Sequence, residues 1–175
     1  MIKPTTADKQ PQPTFREGMR LGPVVWIATG LGLGFSPWAP GTIGGLWGLP
    51  LAWAINQIPS VAVQVAAIVV LCVIGIPICQ RAADAIGRKD PGSVVWDEIV
   101  GLAITFFLIP AEQMSQASIL FAGFLLFRFF DISKISPAKH FDRYPTGLGI
   151  MADDWVAGCY SCLVLHLLCW SGVLP

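Results

Sequence analysis

The residues best suited to chemistry are carboxylates: Asp84, Asp90, the adjacent pair Asp97-Glu98, Asp131, Asp142, and the adjacent pair Asp153-Asp154. Several stand where an apolar stretch begins or ends. Asp97-Glu98 opens one, Asp131 closes another and Asp153-Asp154 opens the last. Carboxylates at the edge of hydrocarbon are costly unless paired or metal-bound, and they mark functional sites. Oxygen donors converging from three helix ends suit Mg²⁺, a hard cation that takes carboxylates, waters and phosphate oxygens. The plainer alternative is that the acids pair with Arg81, Arg88, Lys134 and Arg143 in solvated loops. That accounts readily for Asp84, which has Arg81 and Arg88 at i−3 and i+4, and for Asp90 and Asp142 as members of surface pairs. It accounts poorly for the two adjacent pairs, because neighbouring acids repel each other unless a cation is bound.

Other phosphatase chemistries fall by elimination. No Cys is followed six residues later by Arg, so a thiolate enzyme is excluded. Asp131-Ile132-Ser133 is not Asp-x-Asp, which argues against an aspartyl-phosphate intermediate. The two histidines, His140 and His166, are too few to supply both nucleophile and acid, and His166 reads as a packed polar residue. No Ser-His-Asp set is visible. Metal-activated water attacking a phosphoryl group remains. Two Gly-rich segments, Pro40-Gly41-Thr42-Ile43-Gly44-Gly45 and Thr146-Gly147-Leu148-Gly149, could offer backbone N–H groups to phosphate oxygens, or be plain turns. The five cysteines at 72, 79, 159, 162 and 169 lie in apolar stretches and read as ordinary buried thiols.

The elements that must position these acids are membrane helices. The chain has 175 residues, 54% of them hydrophobic and 13% charged, where a soluble chain carries about 25% charged residues. Apart from Glu112, charge is confined to three islands, 1–20, 81–98 and 128–154, and residues 21–80 have none. Net charge is zero, so a basic nucleic-acid binder is excluded. Residues 60–80 are the cleanest span, and 42–58, 97–110, 115–130 and 153–174 complete a set of five. The Gly-rich stretch 21–36 is read as interfacial or re-entrant. Three islands bearing Lys and Arg all face the cytoplasm under the positive-inside rule, and the acids then share one membrane face. The expected fold is an all-α, polytopic bundle of about five transmembrane helices. Residues 1–20 form a partly disordered cytoplasmic tail, and 21–175 form a single membrane-embedded catalytic domain.

Longer motifs sharpen this. Ser36-Pro37-x-x-Pro40-Gly41-Thr42 is followed by Asp90-x-Gly92-Ser93-Val94-Val95-Trp96-Asp97-Glu98-x-x-Gly101. Then come Phe127-Arg128-x-x-Asp131-x-x-Lys134-x-x-Pro137 and Gly147-x-Gly149-Ile150-Met151-x-Asp153-Asp154-x-x-Ala157-Gly158. In order and spacing the chain resembles the phosphatidylglycerophosphatase A family of bacterial membranes along nearly its whole length beyond residue 25. It departs at Ile135, where the family usually has Pro, and at Thr146, where it often has Gly. The resemblance implies Mg²⁺-dependent removal of the terminal phosphate of phosphatidylglycerophosphate at the cytoplasmic face of the inner membrane. It implies that Asp97, Glu98, Asp131, Asp153 and Asp154 are metal ligands or water-orienting bases. Lys134, Gly41, Thr42 and Arg128 would hold the phosphate, although Arg128 has the alternative of snorkelling to lipid head groups. Two rival readings stand beside it: a phosphatase of another lipid phosphomonoester, and an ion or proton transporter using the same acids. The transporter needs ionisable groups at mid-membrane, where the spans are almost free of charge.

Overall fold

The computed structural model describes residues 13–141, 144 and 146–175. Every regular element among these residues is helical, in line with the all-α expectation. In chain order they are α1 (Phe15–Arg20), α2 (Pro23–Ala28), α3 (Pro40–Gly45), α4 (Gly48–Asn56), α5 (Val61–Ile86), α6 (Trp96–Thr105), α7 (Ala117–Ser133), α8 (Ala138–Phe141) and α9 (Gly147–Trp170).

Two of them, α5 and α9, are long and apolar enough to cross a membrane. The 26 residues of α5 span about 39 Å, against roughly 30 Å of hydrocarbon. Its apolar run lies almost wholly on the outside of the fold, with Val69, Val70 and Val73 each more than half exposed. Gly87 ends it in the left-handed conformation, and the N–H groups of Gly87 and Arg88 both close on the Ala83 carbonyl.

Helix lengths depart from the expectation elsewhere. The stretch read as one helix over 42–58 is two short ones, α3 and α4, separated at Leu46-Trp47. The stretch 97–110 is helical only to Thr105. The nine residues of α4 and ten of α6 rise about 14 and 15 Å, roughly half the hydrocarbon thickness. The cause is burial: seven of the ten residues of α6 are buried, so its apolarity serves the protein interior. Residues 21–36 form only the short α2 and a 3₁₀ turn, less helix than a full span needs. Of the anticipated tail, residues 1–12 lie outside the described residues. Its remainder is helical, with Thr14 and Glu17 forming a reciprocal cap and Phe15 stacked near Trp26 and Phe35.

The centre of the molecule is α6, packed against α3, α4, α5, α7 and α9. Its contact with α9 is made backbone to backbone. A methyl group on Gly158 would strike the Gly101 carbonyl, and one on Gly101 would meet Phe127 and the Asp154 carbonyl. Small residues permit this approach between apolar helices, where close packing rather than expulsion of water holds them together. Around the crossing, Leu102, Phe106, Phe127 and Leu165 build one apolar cluster, and Val100, Met151, Cys79 and Ala82 another.

Candidate active site

The glycine crossing places the acids. Asp97 lies four residues before Gly101 and Asp154 four before Gly158, one helical turn in each case. Packing the two glycines together therefore brings the two carboxylates onto facing turns, and both are buried, at 8% and 3% exposure. Asp154 lies within the electrostatic reach of Asp97, Asp131, Asp153 and Glu98. Asp90 is exposed, yet its charge acts on both Asp97 and Glu98.

Cations come from the end of α7. One nitrogen of Arg128, Nη1, donates to Glu98 Oε1 and Asp131 Oδ2, at 2.8 Å each. Lys134 follows the last helical residue of α7 and is left-handed, with φ 43° and ψ 52°. For a residue with a Cβ that conformation costs about 1–2 kcal/mol. It turns the chain out of α7 while Lys134 Nζ reaches Asp153 Oδ2 at 2.9 Å. Backbone strain of this kind persists where surrounding contacts over-determine it, and it clusters at functional sites. Arg128 and Lys134 can neutralise two of the five charges of Asp97, Glu98, Asp131, Asp153 and Asp154. Asp97 Oδ1 and Glu98 Oε2 are buried with no hydrogen-bond partner among the described residues.

From the opposite side α3 presses its backbone on Glu98. A Cβ at Gly41 would overlap both carboxylate oxygens of Glu98, so any other residue there must displace that carboxylate. Thr42 follows it, half-buried. Ala39, the residue before α3, is also left-handed at φ 43°.

Several sequence expectations change. Asp153 and Asp154 do not open the last helix. Because Thr146 caps α9 by accepting from the Gly149 N–H at 3.3 Å, the helix starts at Gly147, and the acids are its seventh and eighth residues. The second Gly-rich segment is therefore helix rather than a loop with free donors. Gly147 N–H donates to Gln80 Oε1 at 2.6 Å, and a Cβ on either glycine would strike a carbonyl of another segment. Asp84 is exposed and accepts from Gln80 Nε2 at 2.9 Å, on the outer face of α5. Asp142 lies outside the described residues. His166 is packed as expected, its Nδ1 2.9 Å from the Cys162 carbonyl. All five cysteines are free thiols, but only Cys79 is buried and Cys159 is exposed, because it stands on the outer face of α9. Sequence reasoning did not single out Gln80 or the helix crossing. The acid-x-x-x-Gly spacing, repeated at Asp97/Gly101 and Asp154/Gly158, is the signal that could have exposed the crossing.

The donor set is all oxygen and anionic, buried at Asp97 and Asp154 and half-buried elsewhere, and Asp97 Oδ1 and Glu98 Oε2 are open. By donor type it fits a hard divalent cation. By convergence it is looser: among the described residues, no three Asp, Glu, His or Cys side chains are drawn closely enough to enclose one ion.

A family model described as Phosphatidylglycerophosphatase A matches residues 26–169. The chain is 36% identical to the phosphatidylglycerophosphatase A of Escherichia coli over 143 residues, 81% of each protein. It is 38% identical to that of Haemophilus influenzae over 149 residues, 85% of this chain and 90% of the relative. A Bacteroides thetaiotaomicron protein, whose name gives it provisionally as a phosphatidylinositol-3-phosphatase, is 35% identical over 83% of this chain and 93% of its own length. No solved structure matches the chain.

Proposed function

The chain belongs to the phosphatidylglycerophosphatase A family and is an enzyme, a phosphoric monoester hydrolase, and on that premise we propose that it converts phosphatidylglycerophosphate to phosphatidylglycerol with Mg²⁺ as its metal. The observation that carries the site assignment is the set formed by the buried Asp97 and Asp154 with the half-buried Glu98, Asp131 and Asp153, of whose charges Arg128 and Lys134 neutralise two. Adjacent buried acids are stable at neutral pH when a cation shares their field. These five residues would hold Mg²⁺, which when bound lowers the pKa of water and stabilises the developing charge on the leaving oxygen.

The chain's own groups do the rest. One of the acids takes a proton from the attacking water, whose oxygen bonds to phosphorus. The bond from phosphorus to the glycerol oxygen breaks, the alcohol is protonated, and inorganic phosphate leaves. Lys134 offers three N–H donors and a positive charge to the phosphate oxygens once they compete with Asp153. Arg128, bound to Glu98 and Asp131, orients those carboxylates and lies beside the same space, as do Gly41 and Thr42.

The two span-length helices α5 and α9, with the charge pattern of the sequence, support a multi-pass protein of the bacterial inner membrane with the site at its cytoplasmic face. In this reading residues 21–175 are the membrane-embedded catalytic domain, and the half-length α6 lies in its interior.

Phosphate release from a panel of phosphorylated lipids in detergent, with Mg²⁺ and with a chelator, tests the proposal. Preferential turnover of phosphatidylglycerophosphate that the chelator abolishes is expected; turnover indifferent to the chelator refutes the metal role. A second lipid phosphomonoester is favoured by the name of the Bacteroides relative alone, and the same panel would reveal it. Turnover without a sealed vesicle excludes the transporter reading.

A further inference from the structure

Two residues outside the acidic site, Gln80 and Asp84, are tied to it through α9. Gln80 Nε2 donates to Asp84 Oδ1 at 2.9 Å, one turn along α5, and Gln80 Oε1 accepts from the Gly147 N–H at 2.6 Å. The two bonds define each other. A backbone N–H can only donate and a carboxylate accepts, so Asp84 draws the amide nitrogen to itself and aims the amide oxygen at Gly147. The N–H groups that open a helix have no partner inside it. Thr146 serves that of Gly149, so α9 is held at its start by one cap of its own and one from α5.

The start of α9 lies on α5 over the same stretch. A Cβ on Gly147 would strike the Ile76 carbonyl, and one turn on Met151 Sδ is 3.6 Å from Cys79 Sγ. Gly147, Met151 and Asp154 follow at i, i+4 and i+7, so the face of α9 that is clamped to α5 is the face that carries Asp154. Asp154 therefore stands between two fixed points. The Gln80 bond lies seven residues before it and the Gly158 crossing four residues after.

We propose that Gln80, oriented by Asp84, is a positioning residue for the reaction: it fixes the slide and roll of α9 so that Asp153 meets Lys134 and Asp154 meets Asp97. The inference deepens the function proposed above and rests on it for the reaction. Helix lengths set the size of the effect. Gly147 is eleven residues from the crossing, about 17 Å, and Asp154 is four, about 6 Å. A helix held at the crossing alone pivots there, and each ångström by which its start lifts moves Asp154 by about 0.4 Å. With about 100-fold lost per ångström of misplacement, that is about fivefold in rate. Arg128 and Lys134 belong to α7 and its end, so phosphate binding stays in place and the loss falls on kcat rather than KM.

Three variants test it. Gln80→Leu keeps the bulk and removes the acceptor. Gln80→Glu keeps the acceptor and sets a second carboxylate against Asp84. The double variant Gln80→Glu/Asp84→Asn restores both bonds, with donor and acceptor exchanged between 80 and 84. Phosphate release from phosphatidylglycerophosphate in detergent should show kcat lowered about fivefold or more in Gln80→Leu at unchanged KM. The double variant should recover the wild-type kcat and exceed Gln80→Glu. Without turnover, the Mg²⁺ concentration that gives half of the stabilisation seen in thermal melting should rise severalfold in Gln80→Leu and return in the double variant. Lowered melting in chelator with wild-type kcat and Mg²⁺ midpoint would overturn the positioning role. Should Gln80→Leu not fold, equal kcat in Gln80→Glu and the double variant overturns it. Wild-type protein that releases no phosphate and does not respond to Mg²⁺ would sink the proposed function instead. Amide exchange over residues 147–151 then decides the clamp, which is refuted if Gln80→Leu exchanges no faster than wild type.

Discussion

Gly41→Ala separates the fold from the site more cleanly than any change to a charged residue. Gly41 sits in the first turn of α3 with its Cα against the Glu98 carboxylate, and an added Cβ would lie well inside van der Waals contact with both oxygens. Glu98 is tied by the 2.8 Å bond to Arg128 and has little room to yield. The carboxylate must then move by about 1 Å, a displacement that costs on the order of 100-fold when it misplaces a catalytic group. That factor corresponds to roughly 2.7 kcal/mol of transition-state stabilisation. Stability should move the other way or not at all, since alanine is favoured over glycine in a helix by up to about 1 kcal/mol. Gly45→Ala is the control, because a Cβ there would meet Glu98 only at ordinary contact distances of 3.5 and 3.7 Å. Phosphate release and thermal melting measured on the same preparations should show Gly41→Ala folded and about 100-fold slow, with Gly45→Ala near wild type. Equal rates for the two variants would refute the idea that the α3 backbone sets the position of Glu98 for chemistry.

Asp154→Asn removes one of the mutually repelling buried charges, so it should abolish turnover by several orders of magnitude. The same variant should melt above wild type in chelator, by about 2–4 °C for each kcal/mol of relieved repulsion; normal turnover refutes the metal-site role. Lys134→Ala and Lys134→Gly should both lose phosphate affinity and rate, while Lys134→Arg keeps part of each. Glycine adopts the left-handed backbone of position 134 freely, so Lys134→Gly should be more stable than Lys134→Ala by about 1 kcal/mol. Unchanged kinetics in either variant would retire the phosphate contact. With the native cysteines replaced, labels at Lys89 and His140 should react from the cytoplasmic side and one at Glu112 only from outside; labelling of His140 from outside would break the single-face site.

How much of this was legible in the sequence depends on the scale of the feature. The α5 span could be read because twenty uncharged residues, nearly all apolar, have few other uses. The candidate site could be picked out because adjacent acids such as Asp97-Glu98 have no cheap explanation inside apolar sequence. Helix lengths were harder. Hydropathy reports that Ile99 to Ala103 avoid water, and it cannot tell lipid from protein as the surroundings; here the surroundings are α4, α5 and α9. The start of α9 was hidden for a related reason. Gly147 and Gly149 look like loop residues, yet their missing side chains let the first turn pack against Ile76 and Tyr144. Which cation meets which acid was not readable either, since the left-handed turn at Lys134 is made by a residue type that seldom adopts it.

The glycine crossing also ties catalysis to stability in a way that neither shows alone. Gly101 and Gly158 give up side-chain burial so that α6 and α9 touch, and the return on that contact is the facing of Asp97 and Asp154 one turn away. Larger residues at 101 and 158 would bury more surface and would hold the same acids further apart, easing their repulsion. A chain shaped by stability alone would therefore not place glycine opposite glycine one turn below two buried acids. On the proposed function the resolution is linkage: a ligand that binds only the folded site offsets the repulsion by RT ln(1 + [L]/Kd). The enzyme is then most stable when occupied, and the charge density that weakens the empty site is what fills it.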